Sequence, residues 1–366
     1  MSKLEQLIEE LCPDGVEYTT LESVAKISNG RDHKDLEDGN IPVYGSGGIM
    51  RYANQYIYDK VSVLIPRKGS IGNIFYVDTP FWTVDTIFYT KINFELINAR
   101  FMYHYLLTQN IEKLNTAGGV PSLTKSVLDK IQIPLPPLPV QEEIVRILDN
   151  FTELTAELTA ELTARKKQYE YYKNELFNKA KNAQMVTLNM IAENCDSQRK
   201  PVTSGIREAG DIPYYGASGI VDYVKGYIFD GDYLLISEDG ANLLARSTPI
   251  AFSVSGKTWV NNHAHVLKFD KYATRRYVEM YLNSIDLSPY ITGAAQPKLN
   301  QKNLNNIKIP LPALPEQQRI VDILDRFDTL CNDISSGLPA EIKARQQQYE
   351  YYRDQLLGFP KAEVEA

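Results

Sequence analysis

The chain has few thiols, few histidines and no surplus of positive charge. Its three cysteines, Cys12, Cys195 and Cys331, lie far apart, are odd in number and form no C-x-x-C pair. That excludes a disulfide-stapled scaffold or a thiolate metal knuckle and fits a reducing, cytoplasmic compartment. No apolar run approaches the ~18–20 residues needed to span a bilayer, so no membrane association is expected. Met1–Leu11 is acidic and amphipathic, without the basic flank and apolar core of a secretion signal. The net charge of −7 excludes a coat of Lys and Arg. Local basic patches nonetheless matter more than the sum for binding a polyanion. The sequence contains no G-x-S-x-G elbow, no H-E-x-x-H, no helicase-type motif set and no Asn-Pro-Pro-Tyr loop. Together these absences speak against an enzyme acting alone.

What is present is an internal duplication. With 366 residues the chain can form two domains, each with its own core. Thr20–Ala25 is answered by Thr187–Ala192, and Ile41-Pro42-Val43-Tyr44-Gly45-Ser46-Gly47-Gly48-Ile49 by Ile212-Pro213-Tyr214-Tyr215-Gly216-Ala217-Ser218-Gly219-Ile220. Short Tyr-rich strands are expected at Tyr56–Asp59 and Tyr227–Asp230, and buried strands at Val61–Ile65 and Tyr233–Ile236. The turns that follow differ: Pro66-Arg67-Lys68-Gly69 in the first copy, Ser237-Glu238-Asp239-Gly240 in the second. A single further strand is expected in each copy, Trp82–Tyr89 and Trp259–Leu267, then a short helix, Ala99–Leu107 and Thr274–Leu282. Loops at 116–123 and 292–299 lead into Ile-Pro-Leu-Pro, where alternating prolines force extended backbone.

Each copy then enters a long helix. In the first, Gln141–Phe177, apolar residues from Ile144 through Leu148, Phe151, Leu158 and Leu162 to Tyr169, Tyr172 and Leu176 follow a heptad seam, with Thr155 and Arg165 its weak points. The second seam runs Ile320, Leu324, Phe327, Cys331, Ile334, Leu338, Ile342, Arg345, Tyr349, Tyr352, Leu356. The copies are 176 residues apart at Phe151 and Phe327 but 180 apart at Tyr169 and Tyr349, a four-residue stutter. Gly337 and Pro339 stand there, so a kink or brief break is expected. The two helices are expected to pack on each other, antiparallel.

Several stretches invite a chemical reading. Ala251-Phe252-Ser253-Val254-Ser255-Gly256-Lys257-Thr258 fits a relaxed phosphate-loop pattern, but Ala251 takes the first glycine's place and a strand-like stretch follows. His263 and His265 would share one strand face, as two metal ligands might, with no third ligand at a local spacing. They are read instead as facing solvent or DNA. The stronger signal is polar loops rich in Arg, Lys, Asn and hydroxyls, groups that hold phosphates or read base edges. Framework strands and helices agree between the copies, whereas these loops diverge in charge and type. One scaffold reading two different half-sites accounts for that pattern.

Taken together, Leu11-Cys12-Pro13-Asp14-Gly15-Val16-Glu17-Tyr18, Ile-Pro-Leu-Pro-x-Leu-Pro with Gln141 and Gln317, Ile-Val-x-Ile-Leu-Asp-x-Phe, paired Gln-Tyr-Glu-Tyr-Tyr and the tandem Thr155–Leu158, Thr159–Leu162 span the chain. In these motifs the chain resembles the specificity (S) subunit of type I restriction–modification systems. The resemblance implies an α+β fold: two pseudo-repeated β-rich target-recognition domains separated by two long antiparallel, coiled-coil-like helices. The corresponding boundaries are 1–140, 141–182, 183–313 and 314–366. It implies double-stranded DNA, two methyltransferase (M) subunits and restriction/motor (R) subunits as partners. It also implies no catalytic centre and no metal in this chain, with S-adenosylmethionine, ATP and Mg belonging to the partner subunits. Residues expected at DNA are Arg31, Tyr44, Ser46, Arg51, Arg67, Lys68, Ser122 and Lys125 in the first copy. In the second they are Tyr215, Ser218, Arg246, Asn261, Asn262, His263, Gln296 and Lys298. Gln141–Phe177 spans about 55 Å at ~1.5 Å per residue, enough to hold two readers roughly one duplex turn apart. Two alternatives stay open: a nucleotide- or metal-dependent enzyme around Gly256–His265, and a protein scaffold that never meets DNA.

Overall fold

The computed structural model describes residues 2–115, 119–293 and 295–362. Thr116–Gly118 and Ala294, within the paired loops expected above, lie outside the described residues. The chain forms two compact units: unit 1 comprises Met1–Thr159 with Glu341–Ala366, and unit 2 comprises Ala160–Ala340.

The duplication is reproduced strand by strand, except that Phe229–Asp230 adds a fourth strand to the second sheet of unit 2 where unit 1 has an isolated bridge, Tyr58 to Phe81. In unit 1, Ser62–Pro66 lies between Phe75–Val77 and Ile87–Ile92, with Ala25–Asn29 beyond the latter, all antiparallel. In unit 2, Tyr233–Ser237 lies between Ala251–Val254 and Ala264–Lys268, with Glu193–Asn194 beyond. A second sheet in each unit is a hairpin with a short parallel strand. It joins Asp38–Gly45 to Gly48–Ala53 and Trp82–Thr83, and Ala209–Gly216 to Gly219–Val224 and Lys257–Val260. The proline-rich segments pair as edge strands, Gln132–Pro134 on Tyr18–Thr20 and Lys308–Leu311 on Gln184–Thr187.

Alternation explains why the central strands are buried on both faces. Val63 and Ile65 enter the main core of unit 1 with Phe101, Ile133, Ile144 and Leu148, while Leu64 faces a second core with Phe81 and Tyr89. In unit 2, Leu234 and Ile236 join Tyr277, Ile309 and Leu324, and Leu235 faces Phe229 and Val260.

The stretches expected as one strand, Trp82–Tyr89 and Trp259–Leu267, are each two strands. The chain leaves one sheet and joins the other through a turn at 84–86 or 261–263. In unit 2 the Asn261 carboxamide accepts from the His263 amide at 2.8 Å and fixes that turn.

The first long helix runs unbroken over Leu138–Ala180. The second is interrupted: Leu314–Asn332, then Leu338–Leu356. At the break the Asp333 carboxylate accepts from the Ser335 amide and from the Ser335 and Ser336 hydroxyls, which lowers its pKa to about 2. A Cβ on Gly337 would stand 2.4 Å from the Thr329 carbonyl oxygen, so only glycine fits. Ile334, expected in the seam, falls in this break and is 83% exposed. Within unit 2, Phe327 packs against Tyr169 and Tyr172, and Arg319 and Ile323 lie beside Glu175 and Lys179, an antiparallel pairing. Within unit 1, Phe151 stacks on Tyr352 at 5.4 Å. Gln141 and Gln317 are buried and pin the helix starts, each donating to a proline-segment carbonyl, Pro136 or Pro312, at 2.7 Å.

Candidate nucleic-acid interface

In each unit four segments meet: the hairpin tip, the turn after the buried strand, the turn that switches sheets, and a Pro-x-Leu segment. The backbone bonds are duplicated. Arg67 N donates to Thr86 O and Leu123 N to Arg67 O; likewise Glu238 N donates to His263 O and Leu299 N to Glu238 O. Gly69 N donates to Pro121 O and Gly240 N to Pro297 O. Both glycines have positive φ, +82° and +105°. At the margin, Trp82 Nε1 donates to Arg31 O and Trp259 Nε1 to Lys200 O, at 3.0 and 2.6 Å. Backbone bonds do not depend on side-chain identity, so this frame tolerates different chemistry at its turns.

That chemistry does differ. In unit 1, Arg67 lies over Phe88, its Cζ 5.1 Å from the ring centroid. Lys68 is exposed and bridges to Ser122 through its backbone. Ser46 approaches the same turn, since a Cβ on Gly69 would lie 3.0 Å from its Oγ. Asp32, His33, Lys34, Ser46, Asp85 and Thr86 border a hollow of 690 Å³. Lys125 is exposed in the helical turn after Leu123, and Arg31 is exposed beside Trp82.

In unit 2 the equivalent of Arg67 is Glu238. It accepts from Arg199 Nη1 at 2.5 Å and lies 3.1 Å from Lys298 Nζ. His265, the counterpart of Phe88, is fully buried. Its Nδ1 meets Asp196 Oδ2 at 2.6 Å and its Nε2 meets the Leu299 carbonyl at 2.7 Å. Both partners are oxygen acceptors. Burial pushes the Glu238 carboxyl up, but Arg199, His265 and Lys298 outweigh it and hold it below the usual range. Asp196 is likewise lowered, its burial outweighed by His265, the Val266 amide and Arg199. Asp239 carries His263 at 2.9 Å on the outer side. Asn262, Ser218 and Gln296 are exposed nearby in sequence or bonding: Ser218 follows Ala217, whose carbonyl accepts from Ser237, and Gln296 precedes Pro297.

The histidine pair is therefore split, contrary to the shared face expected. His263 lies in the turn and is half-exposed, whereas His265 is internal. Asp196, Glu238 and His265 each set a potential ligand atom within 4.8 Å of the others. Arg199 and Lys298 already neutralise that carboxylate pair, and a cation would have to displace them. The phosphate-loop reading also fails. Gly256 is a turn at φ +76° between Ala251–Val254 and Lys257–Val260, so Lys257-Thr258 starts a strand and no helix N-terminus faces a phosphate.

Besides His263 on Asp239 and Lys298 on Glu238, five residues expected at DNA are engaged internally. Tyr44 packs on Phe75 and Phe81, and Tyr215 on Phe252. Arg51 is held by Asp38 and the Leu36 carbonyl, both at 2.9 Å. Arg246 adopts left-handed backbone and donates to the Leu282 and Ile285 carbonyls, closing the end of the helix Tyr272–Ser284. Asn261 is buried in its turn. Conversely, Asp196 and Arg199 complete the unit 2 network. Their partners lie far along the chain, and only the basic pair Arg199-Lys200 hinted at it.

A family model of the type I restriction modification DNA specificity domain matches residues 13–165 and again 180–344. The chain belongs to this family. A putative type I restriction enzyme specificity subunit of Haemophilus influenzae is 34% identical over 392 residues, covering 97% of this chain and 98% of that one. The EcoR124I/EcoR124II specificity subunit of Escherichia coli is 33% identical over 402 residues, covering 100% and 98%. The S subunit of a type I restriction–modification system from M. genitalium shares the fold, with a TM-score of 0.66 at 17% identity over 94% of this chain and 96% of that one. Among the described residues, no helix of this family member is long and apolar enough to cross a membrane.

Proposed function

We propose that this chain is the DNA sequence-specificity subunit of a type I restriction–modification complex, each unit reading one half of a bipartite target. The observation that carries this is a frame duplicated bond for bond whose exposed turns differ in charge. A repeated scaffold with divergent turns suits two unlike half-sites better than one composite site. The chain is non-catalytic in this reading. S-adenosylmethionine-dependent methylation of adenine N6 belongs to two M subunits, and ATP- and Mg-dependent cleavage to R subunits.

Both Gln-Tyr-Glu-Tyr-Tyr motifs leave aromatic area uncovered: Tyr171 is 62% exposed with Tyr172 edge-on to it, and Tyr351 is 62% exposed with Tyr352 likewise. Two like patches fit two copies of one partner, and the outward helix faces are where the M subunits dock in this account.

The Leu138–Ala180 helix contributes to both units, and its Thr-Ala-Glu-Leu tandem lies where one gives way to the other. One repeat adds about 6 Å of helix against ~3.4 Å of duplex per base pair. Deleting Thr155–Leu158 and mapping modified bases in cells that also carry the M subunit should give a changed unspecified gap with both half-sites retained. An unchanged gap would refute the spacer role. Absence of sequence-specific footprint protection by the wild-type complex would favour a scaffold that never meets DNA.

A further inference from the structure

We propose that Arg67 is the specificity-determining residue of unit 1 and reads a guanine in the major groove; this rests on the DNA-reading function above. Three observations converge on it. Its backbone is fixed on both sides, N–H to Thr86 and C=O from Leu123, so the side chain leaves the frame from a set point. Its guanidinium is held over the Phe88 ring, which restricts its orientation without using its donors. Among the described residues the side chain has no hydrogen bond or ion pair, and its Nε is buried without a partner.

The other arginines around the two clusters are different. Arg51 is bonded to Asp38, Arg199 to Glu238 and Arg207 to Asp222, while Arg246 holds backbone carbonyls. Arg31 is exposed, and among the described residues no aromatic ring lies beneath its guanidinium to orient it. An oriented, unengaged planar fork matches the two acceptors O6 and N7 on the guanine edge. A phosphate can also accept such a fork, so the lysine and alanine variants below separate a base contact from a backbone contact. The same position in unit 2 is Glu238, already saturated by Arg199 and Lys298, so the inferred reading mode belongs to unit 1 alone.

The test uses the full chain assembled with its M subunits and a duplex library carrying two randomised blocks. Selection by wild type, Arg67→Lys and Arg67→Ala complexes is followed by sequencing. Wild type should enrich guanine at one position of one half-site. Lysine keeps the charge but loses the fork, so that enrichment should fall roughly 10- to 100-fold while every other position is unchanged. Binding of the Arg67→Lys complex to unselected duplex, and its salt dependence, should stay as in wild type. Retained guanine preference in both variants would overturn the inference while leaving the bipartite function standing. Equal loss at all positions in Arg67→Ala, with Arg67→Lys intact, would make Arg67 a phosphate contact and also overturn it. No enriched sequence with the wild-type complex would overturn the function and this inference together.

Discussion

At the turn after the buried central strand, unit 1 carries Arg67-Lys68-Gly69 and unit 2 carries Glu238-Asp239-Gly240, on backbones bonded to equivalent neighbours. Beneath them stand Phe88 in one unit and His265 in the other. The arginine stacks on its ring and has no ion pair among the described residues. The glutamate sits in a closed network with Arg199, Lys298, His265 and Asp196. The frame depends on strand alternation, positive-φ glycines and main-chain bonds, all indifferent to the charge of the turn. Turn chemistry can therefore diverge, but an acid placed over the core required compensating cations from distant segments, and unit 2 has them.

The comparison can be broken by exchanging these residues. The largest effect is expected for Glu238→Arg, which puts a third cation against Arg199 and Lys298 and frees a buried arginine. Unit 2 should lose about 3–5 kcal/mol, read by urea unfolding. His265→Phe, which copies unit 1, leaves Asp196 and the Leu299 carbonyl each short of a donor and should cost about 1–3 kcal/mol. Arg67→Glu in unit 1 should change stability by about 1 kcal/mol or less, since the contact with the Phe88 ring is lost but no ion pair or hydrogen bond among the described residues. Equal costs for the two charge reversals would mean that the turn of unit 2 is no more closed than that of unit 1. The two tryptophans report the units separately: Trp259→Phe leaves Trp82 in unit 1, and Trp82→Phe leaves Trp259 in unit 2.

A smaller effect follows pH. His104 is buried in unit 1, bonded to Tyr349 and Asp149, and burial lowers its pKa below 6.5, the pull of Asp149 being weaker. The unfolded chain then protonates first. This contribution is complete above the unfolded pKa and is lost as pH falls through 6.5 toward the folded value. Unit 2 has Met280 at this place. From about pH 7.5 to about pH 5.5, the unit 1 melting midpoint, followed by Trp82 fluorescence, should fall. His104→Met should flatten that slope, and an unaltered slope would assign it to other groups.

The duplication, the buried strands and the interrupted second helix were legible in sequence because each is a local pattern: alternation, heptad spacing, a Gly-x-Pro in a stutter. The split of Trp82–Tyr89 was not, because alternation continues through a chain that changes sheets. The candidate site was legible as a set of loops but not residue by residue. Arg51 and Arg246 look as available as Arg67 until the Asp38 carboxylate and the end of a distant helix are seen beside them. His265 and Asp196 are 69 residues apart, and no spacing rule joins them. Whether a polar side chain faces outward is decided by such long-range partners.

In the proposed function one frame, built twice, reads two different sequences. Base-resolution mapping of modified adenines, in cells carrying this chain and its M subunit, tests it most directly. The expected result is an asymmetric bipartite motif, two unlike half-sites around a fixed unspecified gap. A single continuous motif, two identical half-sites, or a pattern unchanged when the chain is removed would contradict it.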